Sequence, residues 1–237
     1  MESSRKIILY GPRIAPFTEK VRRALELKGL TFELREPTSA EDYPRWSPET
    51  GLLPVITIDG ELTSDSTAIL HRLDELYPEP PLLSRDPVVR EQQRNLEDWA
   101  DESFLWYFMK WMDFRGNSMP TATEMEAVQE AGRRSSEELR GPMARLRRLG
   151  AWLRAGGTWE RSETALVRGL GDRLRDLTNF LGTRRFFYSD RVSMADLSVY
   201  GMLVTLRNDT FPGSGRLLAN QPALLAFMAR VERETGG

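Results

Sequence analysis

The hydrophobic rhythm of the chain changes near residue 80. Before it, short apolar runs alternate with amphipathic stretches. After residue 87, apolar positions recur at the three- and four-residue spacing of helices. Ile7 to Tyr10 is a four-residue apolar run stopped by Gly11-Pro12, which predicts a buried strand. From Pro16 onward Val21, Ala24, Leu25 and Leu27 share a helical face, with Lys20, Arg22, Arg23 and Lys28 around it. Proline suits a first helical turn, whose N–H groups have no intrahelical acceptor, and Gly29 is placed to end the helix. Thr31 to Leu34 predicts a second strand, so the three segments form a βαβ unit with a parallel strand pair.

Residues 37–52 contain Pro37, Pro44, Pro48 and Gly51, which predicts a loop with a short helix. Pro54 to Ile58 reads as a strand, Asp59-Gly60 as a hairpin turn and Glu61 to Thr63 as the return strand. Ser64 or Asp65 then caps a helix carrying Ile69, Leu70, Leu73 and Leu76. The stiff stretch from Tyr77 to Pro81 marks a domain boundary. Helices are predicted at 88–114, 121–153, 162–182, 194–208 and 221–234, with breaks at 116–120, 156–157 and 211–215 and an interruption at Pro142; no strand is predicted after residue 87. The expected fold class is an α+β N-terminal domain of order βαβ then ββα, followed by an all-α helical domain. The expected limits are 1–80 for the first domain, 81–87 for a linker and 88–237 for the second.

Composition narrows the chemistry. At 237 residues, 40% hydrophobic and 29% charged, the chain can bury the cores of two small domains and is not predominantly disordered. The net charge of −2 argues against a dedicated nucleic-acid binder. The first 80 residues carry 10 basic and 14 acidic groups and the rest 23 and 21, so neither part has a strong field. Without cysteine, disulfides, a protein thiolate and Cys-ligated metals are excluded. With one histidine, His71, a multi-His metal site within the chain is excluded too. His71 has no acid or nucleophile at a diagnostic spacing and reads as a surface or structural residue. No stretch approaches the roughly 20 apolar residues of a membrane span, and Ile7 to Tyr10 is too short for a secretory signal core, so a soluble, cytoplasmic protein is expected.

Four segments resemble, in order, the glutathione transferase superfamily. Ala15 to Gly29 resembles its first helix, and Gly51 to Gly60 its loop and strand with a cis-proline. Thr63-Ser-Asp-Ser-Thr-Ala-Ile69 resembles its acidic–Ser motif at a helix start, and Ser193-Met-Ala-Asp196-Leu its Ser-x-x-Asp capping box. Residues 115–160 match nothing in the family. The resemblance implies a thioredoxin-like domain that binds glutathione as co-substrate, and a helical domain that binds a small hydrophobic electrophile. It implies a homodimer, no metal, and no nucleic-acid or membrane partner. The implied reaction is attack of the glutathione thiolate on that electrophile, as conjugation, isomerisation or elimination.

Each motif also has a physical reading. A cis Leu53–Pro54 bond presents the backbone N–H and C=O of Leu53 to a peptide-like ligand, which can add as a strand; a trans-proline opening an edge strand is the alternative. Asp65 and Ser66 at a helix N-terminus suit a free amino-acid head: helix dipole and Ser66 hydroxyl for its carboxylate, Asp65 for its ammonium. The plainer role is a helix cap. Ser193 and Asp196 are spaced to cap each other's backbone.

The departure from the family lies at Ala15-Pro16-Phe17-Thr18. Thioredoxin-like relatives carry redox cysteines at the first and last of these positions, and serine-type members carry a hydroxyl at or next to the first. Both sulfur positions are empty and the hydroxyl at Ala15 is missing. Tyr10, at the end of the first strand near the catalytic tyrosine of tyrosine-type members, is the candidate thiol donor, against a packing role; Thr18 and Arg13 are weaker candidates. Trp106, Tyr107 and Lys110, on an aromatic-rich helix, are the candidate contacts for the electrophile. The empty Ala15 position also allows a rival reading, a binding or scaffold protein that keeps the fold without the catalysis.

Overall fold

The computed structural model describes residues 5–114, 163–209 and 213–236, with side chains at all of these except 104–114 and 163–165. Strand β1 (Ile7–Tyr10) leads to helix α1 (Pro16–Leu27), strand β2 (Glu33–Arg35) and a short helix α2 (Asp42–Trp46). Strands β3 (Val55–Ile58) and β4 (Glu61–Ser64) form a hairpin, followed by α3 (Ser66–Leu76). The sheet order is β2-β1-β3-β4, with β1 parallel to β2 and antiparallel to β3. This is the expected βαβ then ββα order.

Alternation along the strands sets the two faces of the sheet. Ile7 and Leu9 of β1, with Ile56 and Ile58 of β3, join Val21, Ala24 and Leu25 of α1 and Ile69, Leu70 and Leu73 of α3 in the buried core. Tyr10 points to the opposite face, where its ring meets Trp46 of α2 at 5.0 Å between centroids. Pro16 opens α1 as predicted. At its far end the Gly29 N–H donates to Glu26 and the Leu30 N–H to Leu25, a Schellman motif with Gly29 at φ 64°. That motif holds the chain through residue 30. Strand β2 therefore starts at Glu33, two residues later than the apolar pattern of Thr31 to Leu34 suggested.

After cis Glu79–Pro80 the described chain is helical: α4 (Pro87–Phe114), α5 (Glu163–Leu181), α6 (Met194–Arg207), α7 (Ser214–Ala219) and α8 (Pro222–Glu234). The predicted helix at 121–153 lies outside the described residues. Helix α7 starts inside the stretch read as a break and, at six residues, is too short for a periodic signal. Helix α6 is buried all round from Met194 to Leu206 and packs on both α1 and α4. Its capping box is present: the Ser193 N–H and hydroxyl donate to Asp196 at 2.8 and 2.6 Å. The Phe187 N–H adds a third bond to the same carboxylate at 2.8 Å. Burial pushes the Asp196 carboxyl up to about 7, against the downward pull of these donors.

Candidate functional site

One row of the sheet gathers the predicted residues. Tyr10 pairs with Val55, and Val55 with Ser64. The loop from Gly11 to Ala15, the loop ending at Pro54 and the turn into α3 therefore leave the sheet at one edge. Two inter-strand spacings of ~4.8 Å separate Tyr10 from Ser64, about 10 Å in all, a span that a tripeptide covers.

The Leu53–Pro54 bond is cis. The ladder register begins at Val55, so Leu53 lies outside it. The N-cap of α3 is Asp65, not Ser64, which ends β4. Asp65 sits at φ 72°, a left-handed region that short polar side chains tolerate best. One carboxylate oxygen accepts the Ala68 N–H at 2.9 Å; the other takes no donor among the described residues. Ser66 follows as the first residue of α3 and is buried.

At the head of α1, Ala15 is the N-cap and supplies no side-chain cap. Phe17 and Thr18 carry amides of the first turn, and Pro16 carries none. Thr18 is fully buried, and its hydroxyl has no hydrogen-bond partner among the described residues. That hydroxyl lies where a Cβ on Gly11 would come within 2.4 Å of it, so it faces the β1–α1 loop rather than solvent. Arg13 turns to Glu36, with its N–H donating at 3.0 Å and its guanidinium 3.5 Å away. Tyr10 is held between Trp46 and the Arg35 guanidinium, which lies 5.7 Å from its ring. The structure thus brings Leu53, Pro54, Asp65 and Ser66 to the row's edge and places the half-buried Tyr10 ring against Trp46, tilted at 48°, at the same end of β1. Trp106, Tyr107 and Lys110 fall on α4, but their side chains lie outside the described residues. His71 is half-buried on α3, away from its N-terminus.

Behind the row lies a buried ionic cluster that the sequence did not reveal. Lys20, read as part of the polar surround of α1, is fully buried. Its ammonium donates to Glu97 at 2.7 Å, to Asp101 at 2.9 Å and to Thr67 at 3.1 Å; Thr67 also donates to Glu97. Burial works against the charged form, but the Asp101 and Glu97 carboxylates outweigh it and raise the Lys20 pKa above its ordinary value. Thr67 is the neighbour of Ser66, so the cluster ties α1 and α4 to the first turn of α3. The one available signal was the four-residue spacing of Glu97 and Asp101, which puts both acids on one face of α4. Among the described residues no group of three His, Cys, Asp or Glu is arranged to hold a metal, and no helix is long and apolar enough to cross a membrane.

Residues 9–81 match the family model for the glutathione S-transferase N-terminal domain, and residues 160–236 that for the C-terminal domain. Glutathione S-transferase U7 of Arabidopsis thaliana is 29% identical over 134 residues, 55% of this chain and 56% of that protein. Probable maleylacetoacetate isomerase 1 of Drosophila melanogaster is 34% identical over 101 residues, 38% of this chain and 40% of that protein. The chain thus spans about half the length, or less, of these curated relatives. The crystal structure of rice GST1 in complex with glutathione superposes with a TM-score of 0.66 at 21% identity, covering 98% of this chain and 88% of that one.

Proposed function

Because the chain belongs to the glutathione S-transferase family, we propose that it binds glutathione along the Tyr10–Val55–Ser64 edge and directs the thiolate at a small hydrophobic electrophile, as conjugation, isomerisation or elimination. The carrying observation is that this single row brings cis Leu53–Pro54, Asp65–Ser66 and the head of α1 to one end of the sheet. Leu53 would pair its backbone with the tripeptide beside Pro54. The unpaired oxygen of Asp65 would accept the γ-glutamyl ammonium, while Ser66 and the α3 N-terminus hold the carboxylate. Residues 1–80 would be the glutathione domain and 88–237 the electrophile domain, joined by 81–87, with Trp106, Tyr107 and Lys110 as the electrophile contacts. A cytoplasmic homodimer accompanies the assignment.

An ordinary thiol has a pKa of about 8.5 and is mostly protonated at neutral pH. Helix N-terminal amides and a hydroxyl donor both favour the thiolate, so the first turn of α1 and Tyr10 would stabilise it here. Ala15 adds no hydroxyl to that turn, and this also favours the second reading, glutathione binding without turnover.

Steady-state conjugation of glutathione to a chlorodinitrobenzene tests both readings. Ala15→Ser restores a donor at the N-cap and is expected to raise kcat about tenfold, since one such hydrogen bond is worth about 1.4 kcal/mol of barrier. Tyr10→Phe is expected to lower turnover about tenfold, about 1.4 kcal/mol of barrier, by removing the candidate hydroxyl donor at the end of β1. Unchanged turnover in Tyr10→Phe would remove that hydroxyl from the mechanism. Glutathione binding with no turnover in the wild type or in Ala15→Ser would select the non-catalytic reading.

A further inference from the structure

We infer that Gly201, in the middle of α6, is a positioning residue for the thiolate site, because it lets the backbone of α6 seat the first turn of α1. A Cβ built on Gly201 would lie 2.4 Å from the Pro16 carbonyl oxygen and 3.2 Å from its carbonyl carbon. Both atoms are backbone, so no side-chain rotation relieves the overlap. Pro16 is the first residue of α1, next to the amides of Phe17 and Thr18. Any residue larger than glycine at 201 must therefore push the head of α1 away from α6 or bend it.

The neighbourhood leaves little slack to absorb such a shift. Ser198 and Met202 of α6, with Ala100 and Asp101 of α4, line the narrow gap against Pro16, Phe17 and Lys20. At the same gap Lys20 ties α1 to Glu97 and Asp101 of α4. Val21, Ala24 and Leu25 fix the rest of the helix in the core. The exposed stretch beside it is the loop at Arg13 and Ile14, next to the first turn that would face the thiol. The inferred role rests on the glutathione reading. Sequence alone gave no hint of it, since a lone glycine in an apolar helix reads only as a weak helix former.

The test compares wild type, Gly201→Ala and Leu224→Ala, the last removing a buried side chain of α8. Thermal melts establish that each variant is folded. Amide hydrogen exchange is followed over residues 12–20, and the pH profile of kcat is measured with glutathione and a chlorodinitrobenzene. Gly201→Ala is expected to speed exchange over 12–20, to lower kcat about tenfold and to raise the apparent thiol pKa by about one unit, with the KM for glutathione within about threefold. Leu224→Ala is expected to lower the melting temperature while leaving the exchange of 12–20 and the pH profile unchanged. If Gly201→Ala leaves that exchange and the pH profile at wild-type values, Gly201 has no positioning role. If Leu224→Ala moves both as much as Gly201→Ala does, the effect is general destabilisation and the inference falls. A wild type that does not bind glutathione sinks the functional reading instead; exchange over 12–20 still decides whether Gly201 seats the helix.

Discussion

Lys20→Met is expected to lower the stability to unfolding by about 3–5 kcal/mol, the scale for removing one partner of a buried ionic group. The ammonium is fully buried and faces two carboxylates, Glu97 and Asp101, at 2.7 and 2.9 Å. Methionine matches the length of lysine, so packing is largely kept and the loss is electrostatic. Both carboxylates then lose the ammonium they share. Each gains in proton affinity in the folded state, so the deficit should shrink as the pH falls from about 7 towards 5. Urea unfolding at both pH values measures this directly. A loss under about 1 kcal/mol at neutral pH would show that the cluster carries little net stabilisation.

Asp196→Ala is expected to lower stability by about 2–4 kcal/mol. The loss of the cap accounts for about 1 kcal/mol, and the rest comes from the buried N–H groups of Ser193 and Phe187 left without an acceptor. The pH dependence has a definite sign. The folded carboxyl titrates near 7, above its unfolded value of about 3.9. A group with a raised folded pKa contributes fully below its unfolded pKa and loses that contribution as pH rises through the folded one. The gap between wild type and Asp196→Ala should therefore narrow between about pH 4 and 8. Denaturant midpoints across that range check it. A gap that widens with pH would mean that the three hydrogen bonds, rather than burial, govern Asp196.

Local signals carried most of this fold. Pro16, Gly29, the Asp59-Gly60 turn and the Ser193–Asp196 box each act through backbone chemistry within a few residues, and each sits where its local rule puts it. The choice between Ser64 and Asp65 as the cap was not local, because it depends on where β4 stops pairing with β3. The start of β2 likewise follows from the Schellman motif ahead of it. In the site, the order of motifs was legible and their convergence was not. That convergence comes from strand register, which pairs Tyr10 with Val55 and Val55 with Ser64. Lys20 and Gly201 were illegible for a related reason: their meaning lies in partners 77 residues (Glu97) and more distant in the chain. Neither an amphipathic period nor a propensity scale contains such pairings.

In the proposed function the edge formed by Leu53, Pro54, Asp65 and Ser66 binds glutathione. Calorimetric titration with reduced glutathione tests it most directly, on the wild type beside Asp65→Asn. Asparagine keeps an acceptor for the Ala68 N–H and tolerates the positive φ of this position, so the variant removes the charge and little else. The expected result is a dissociation constant between micromolar and low millimolar, weakened about tenfold or more in Asp65→Asn by loss of the charge-assisted bond to the ligand ammonium. No heat with glutathione at about ten millimolar, or equal affinity in the two proteins, would contradict the assignment of this edge.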